Sequence, residues 1–183
     1  MNDRVSLLVL GLGNVLLRDD GLGVAAVARL QAAYDWPADV QVLDGGTLGL
    51  ALLPYVEAAE AVILVDAVRD ELPPGTFVKI AGDAVPPAVA TRLSPHQVGV
   101  ADLLDGARWR EHYPAHVALL GLVPESIELA LGLSTPVAAA LDTLVGRVVD
   151  EARDLGFTFR PKTAHETPTC DHRVDVARLV GMS

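Results

Sequence analysis

Two hydrophobic spacings alternate along the chain. Short continuous apolar runs mark strands buried on both faces, and stretches with apolar residues every three or four positions mark helices with one face inward. Val5–Leu10 is such a run and ends at Gly11. Asp19–Ala33 follows with a helical stripe of Leu22, Val27 and Leu30, joined by Ala25 and Ala26. Val40–Leu43 predicts a short second strand, stopped by Asp44-Gly45-Gly46-Thr47, and Leu48–Ala59 predicts a helix that Pro54 kinks or delays. Ala61–Ala67 (AVILVDA) is apolar on both faces until Asp66, as a central strand is. Thr76–Ala81 (TFVKIA) follows the tight turn Pro73-Pro74-Gly75, which is short enough for a hairpin and predicts an antiparallel edge strand. Pro86–Pro95 reads as loop, Gln97–Trp109 as a helix and His116–Leu122 as the last strand. Thr135-Pro136 reads as a helix cap followed by proline at the first helical position, and Gly156 ends that helix.

This alternation predicts an α/β domain over residues 1–156, with a mostly parallel sheet covered by helices on both faces. Residues 157–183 read as a flexible tail. The 183-residue length and 51% apolar content suit one sizeable core, and aromatics are only 4%, which favours an aliphatic sheet-and-helix core. No apolar run is long enough for a membrane span, and the N-terminal stretch lacks a signal-peptide layout. The single cysteine, Cys170, rules out an internal disulfide and fits a reducing cytoplasm. A net charge of −10 repels phosphate backbones, so neither nucleic acid nor a membrane is an expected partner. The tail differs in kind: residues 156–183 carry Arg160, Lys162, Arg173 and Arg178 against Glu166, Asp171 and Asp175. Its Cys170-Asp171-His172 offers two metal-ligand types, too few for a site by themselves.

In parallel sheets, chemistry gathers at the carboxyl ends of the strands. The first such end, Gly11-Leu12-Gly13-Asn14-Val15-Leu16, lacks the third glycine of a dinucleotide fingerprint, and the following helix opens with Asp19 and Asp20, which would repel a pyrophosphate. Asp44 alone sits where a ribose-binding acid belongs. A P-loop is excluded because Gly-Lys-Ser/Thr does not occur. Singly, each acid has a plain explanation. Asp19 or Asp20 would stabilise a first helical turn, Asp66 would cap a turn, and His96 would sit on the surface or cap a helix. Together, two strand-end carboxylates and an imidazole form an O,O,N set suited to a borderline divalent ion such as nickel or zinc.

Five ordered blocks narrow this further: GLGNVLLRDDGLGV, DGGTLGLALLP, VILVDAV, SPHQVG and GLVPESIELALGLSTPV. In this order they resemble the [NiFe]-hydrogenase maturation proteases, over roughly residues 5–155. The resemblance implies a twisted five-stranded sheet in a three-layer α/β/α sandwich with one antiparallel strand. It implies an endopeptidase that removes a C-terminal extension from the hydrogenase large-subunit precursor. By motif position it assigns metal contact and catalysis to Asp20, Asp66 and His96; aspartate replaces the glutamate that some relatives carry at the first position. Asp19 matches an acidic neighbour with no assigned role. The nickel is implied to arrive in the substrate, with no tightly bound metal in the protease. Asp44, Gly45, Gly46 and Thr47 are expected to form a tight turn that the substrate backbone approaches. A self-contained zinc hydrolase and a non-proteolytic hydrogenase assembly chaperone are the alternatives.

Overall fold

Leu7, Leu8, Val9 and Leu10 have no solvent exposure, although successive residues of a strand face opposite ways. Each face must therefore be covered, and it is. The computed structural model describes residues 5–90 and 98–163. Strands β1 (Val5–Leu12), β3 (Val40–Gly46), β4 (Ala59–Ala67), β5 (Phe77–Ala81) and β6 (His116–Leu122) form one sheet in the order β3-β1-β4-β6-β5. All neighbours are parallel except β5 and β6, so the TFVKIA segment is the antiparallel edge strand its hairpin-length turn predicted. Helices α1 (Leu22–Ala33) and α5 (Thr135–Asp154) bury Leu22, Val27, Leu144 and Val148 against Leu7, Val9 and Ile63 on one face. Helices α2 (Leu53–Ala58), α3 (Val85–Ala90) and α4 (Val98–Trp109) cover the other face, where Val56, Val85, Leu103 and Leu104 meet Leu8, Leu10 and Leu64. Full burial of each such aliphatic side chain is worth about 1.5–3 kcal/mol.

Three polar ties reinforce the layers. Glu151 of α5, 6% exposed, accepts a hydrogen bond from Lys79 of β5 and lies 3.2 Å from His116 Nε2 of β6. Arg29 of α1 meets Asp142 of α5 at 2.7 Å and holds that exposed carboxyl below its ordinary range. That contribution is present above the ordinary carboxylate pKa and is lost as pH falls through the lowered one. The third tie extends the domain beyond residue 156, into residues that read as tail. Phe159 is 5% exposed in the α1/α5 core, and β7 (Arg160–Pro161) pairs antiparallel with β2 (Tyr34–Asp35). Lys162 donates from its backbone to Ala33 O and from its side chain to Gln31 O. Residues 164–183, including Cys170 and His172, lie outside the described residues.

Two further expectations need correction. The segment from Pro86 read as loop, yet Val85–Ala90 is helical; Pro86 and Pro87 fall in its first turn, where no intrahelical N–H partner is required. Ser134, and not Thr135, stands at the cap of α5, which places Pro136 second in the helix; the Ser134 hydroxyl makes no cap bond because it is engaged elsewhere.

Helix α1 lies unusually close to the sheet at its start. A Cβ on Gly23 would fall 2.1 Å from Val65 O and 2.3 Å from Leu12 O. These are backbone atoms of adjacent strands and have little room to yield. Gly13 serves the same approach from the strand side: its φ is +125°, and a Cβ there would fall 1.7 Å from Asp20 O. The glycine-rich turn therefore exists to press the helix start onto the ends of β1 and β4. Gly23→Ala should destabilise the domain by about 3 kcal/mol, the upper range for overpacking against backbone. Urea unfolding tests this; a loss below about 0.5 kcal/mol would contradict the close-approach account.

Candidate active site

The order β3-β1-β4-β6-β5 sends the chain outward from β1 to β3, then back across to β4. The topological switch point therefore lies between β1 and β4, and open α/β sheets hold their ligand crevices at such points. Asp20 follows β1 in a 3-10 turn, Arg18–Gly21, that packs on β4, and Asp66 ends β4 itself. Both are fully buried. Asp20 Oδ2 accepts from Asn14 N at 3.0 Å, and Asp66 Oδ1 accepts from Ala67 N at 2.7 Å. The structure thus brings these two sequence-predicted acids to one edge. By strand alternation Asp66 shares the face of Val62 and Leu64, the face covered by α4. His96, the third expected member, stands two residues before α4 in the sequence and lies outside the described residues.

Asp19 proves to have a different task from Asp20. It too is fully buried, and its carboxylate receives four hydrogen bonds. Oδ2 accepts from Glu125 N (2.9 Å), Ser126 N (3.1 Å) and Ser134 Oγ (2.7 Å), while Oδ1 accepts from Ser134 N (2.6 Å). Its own N–H donates to Ser126 O at 3.2 Å. The start of α1 is thereby bolted to the loop after β6. The same two segments meet again where Arg18 N donates to Ala130 O and Ala130 N donates to Leu16 O.

The expected turn at residues 44–47 separates into parts. Gly45 is buried and faces the core, where a Cβ would fall 2.7 Å from Leu10 Cδ1 and 3.0 Å from Leu52 Cδ1, so those side-chain tips would have to shift to admit a larger residue. Gly46 has φ +44°, its N–H donates to Asp44 Oδ1 at 3.0 Å, and its carbonyl accepts from Gly13 N at 2.9 Å. Asp44 and Thr47 are exposed on the same edge as Asp20. Beside the ends of β4 and β6 lies a cavity of ≈ 220 Å³ lined by Arg69, Asp70, Pro124, Glu125 and Ser126. A larger one, ≈ 320 Å³ between Glu57–Glu60 and Glu111–Ala115, opens at the opposite end of the sheet, away from both acids.

Sequence reasoning missed Arg18. It is a non-glycine residue with φ +49°, and its buried Nε has no hydrogen-bond partner among the described residues. No spacing rule flags such a residue; the only hint was a basic residue set directly before two acids.

Chemically, two buried carboxylates at a switch point can hold a cation or a proton between them, and can activate water. Residues 24–151 match the family model described as hydrogenase maturation protease. The "Hydrogenase 2 maturation protease" of Escherichia coli K12 is 36% identical over 159 residues, covering 86% of this chain and 97% of that protein. The "Hydrogenase expression/formation protein HupD" of Rhodobacter capsulatus is 41% identical over 152 residues, covering 82% and 72%. Among solved structures, the hydrogenase maturating endopeptidase HybD from E. coli superposes with a TM-score of 0.83 at 35% identity, covering 86% of this chain and 98% of that one.

Asp19→Ala would leave three backbone N–H groups and the Ser134 hydroxyl without their acceptor. A loss of about 3 kcal/mol or more in unfolding free energy is expected. Unaltered stability would show that the four hydrogen bonds do not carry the loop.

Proposed function

The chain belongs to the hydrogenase maturation protease family, and from that premise we propose that it cuts a C-terminal extension from a nickel-loaded [NiFe]-hydrogenase large-subunit precursor. The observation that carries this reading is the pair Asp20 and Asp66, both fully buried at the switch point of a domain that spans nearly the whole E. coli relative. Carboxylates gathered at one edge of a sheet are oxygen donors suited to a divalent cation. The nickel carried by the substrate would supply that cation, with Asp20, Asp66 and His96 as its contacts on the protease side. No tightly bound metal of the protease's own is then required, and an empty precursor would lack the ion that holds it in place.

Cleavage needs an activated water and stabilisation of the oxyanion. Substrate nickel can polarise the scissile carbonyl, and one of the two aspartates can take the proton of the attacking water. Asp44 and Thr47, exposed on the same edge, would flank the incoming polypeptide, and a Cβ at Gly46 would make only ordinary contacts, 3.6 Å from Asp44 Oδ1. No helix among the described residues is long and apolar enough to cross a membrane. The encounter is assigned to the cytoplasm, a reducing compartment that suits a chain with one cysteine.

The test is processing of purified precursor in nickel-loaded and empty forms. The wild type should cut only the loaded form. Asp66→Asn and His96→Ala should each slow cleavage by about a hundredfold or more while remaining folded. Equal cutting of empty precursor, or normal rates in both variants, would overturn the reading.

A further inference from the structure

Nine large hydrophobic side chains stand exposed among the described residues. Seven of them sit on the loops that follow the carboxyl ends of strands: Val15 and Leu16 after β1, Leu48 and Leu50 after β3, Leu72 after β4, Leu129 and Leu131 after β6. The other two, Tyr55 and Trp109, lie on helices. Scattered single leucines need no explanation, but a concentration around one crevice marks a contact surface.

The strongest part of this rim is also the most rigid. Leu16 is bonded through its carbonyl to Ala130, and Leu129 and Leu131 flank Ala130 at 81% and 80% exposure. Asp19 ties both segments down from beneath. The leucines are therefore held outward in a fixed arrangement, which lowers the ordering cost of binding. Beside them, Arg18 is held at φ +49° with a buried Nε donor that finds no acceptor among the described residues. Exposed carboxylates of Glu125 and Glu128 border the strip, as polar groups border an apolar contact.

We propose that Leu16, Leu129 and Leu131, with Arg18, form a docking strip for the folded large-subunit precursor. An apolar segment of the precursor covers the leucines and presents a carbonyl or carboxylate oxygen to Arg18. This rests on the processing function proposed above and adds how the client is seated. A second copy of the chain is disfavoured, because it would cover the strand ends that carry Asp20 and Asp66 and because a net charge of −10 opposes self-association. Truncation after residue 163 tests the chain's own remaining residues as occupant.

The experiment compares wild type, Leu16→Glu, the double variant Leu129→Glu/Leu131→Glu, and Arg18→Ala on nickel-loaded precursor. The leucines are solvent-exposed, so melting temperatures should stay close to wild type. KM should rise about tenfold or more in the glutamate variants, with most of the loss in KM rather than kcat. Arg18→Ala should raise KM by a smaller factor. Unchanged KM, or a loss confined to kcat, overturns the docking strip. Light scattering that shows a wild-type dimer which the glutamate variants dissociate also overturns it, in favour of a second copy. If truncation after residue 163 raises the affinity of the wild-type strip for precursor while the leucine variants gain nothing, the tail is the resident occupant and the proposal falls. Should the wild type leave the precursor uncut, the processing function fails separately. Interferometry on immobilised precursor then still decides docking: binding lost in the leucine variants supports the strip, and equal binding refutes it.

Discussion

The carboxylate of Asp19 is the fastening on which the site depends. It is sealed from solvent and faces four donors, three of them backbone N–H groups from residues 125, 126 and 134. A charge in such a place is tolerated only when donors surround it, and donors so placed are costly to leave without an acceptor. The carboxylate and the loop therefore enforce each other's positions. Because Asp20 is the next residue, the clamp on Asp19 also fixes where Asp20 stands relative to the ends of β1 and β4. Gly13 and Gly23 complete the constraint from below by admitting the helix start to within backbone contact of the strands.

Adjacent, identical residues thus divide two kinds of work. Asp19 turns toward the loop after β6 and holds the frame. Asp20 stays at the switch point with Asp66, where the family's chemistry would take place. The loop that Asp19 retains carries Leu129 and Leu131 on its outer side, so one fastening serves both the reactive edge and the surface beside it. The acidic body carries this apolar rim on the edge that holds Asp20 and Asp66.

The strands were legible because their apolar runs are continuous, and the antiparallel edge followed from the length of one turn. Asp66 stood out as a charged residue at the end of a buried strand, and only the family motif singled out Asp20 from its neighbour. Other features were not legible, for physical reasons. The role of Asp19 was hidden because its partners lie 106 to 115 residues away, and local pattern carries no information about such pairs. The cap was placed at Thr135, one residue late, and the bond that occupies the Ser134 hydroxyl, to Asp19, spans 115 residues and leaves no local signal. Val85–Ala90 was hidden by prolines that signal loop inside an element but are admissible in a first turn. Gly45 was read as an opening for a substrate, whereas it faces inward onto the side chains of Leu10 and Leu52. The residues after Gly156 read as tail because the family blocks end before them, yet burial of Phe159, the β2–β7 pairing and the bonds of Lys162 bring residues up to 162 onto the core.

The division between the paired aspartates is tested most directly by measuring unfolding free energy and precursor cleavage on the same preparations of Asp19→Asn and Asp20→Asn. The account predicts that Asp20→Asn loses cleavage with little change in stability, and that Asp19→Asn loses stability, its remaining folded fraction still able to cut. The opposite pattern, with Asp19→Asn stable but inactive and Asp20→Asn unstable, would contradict it.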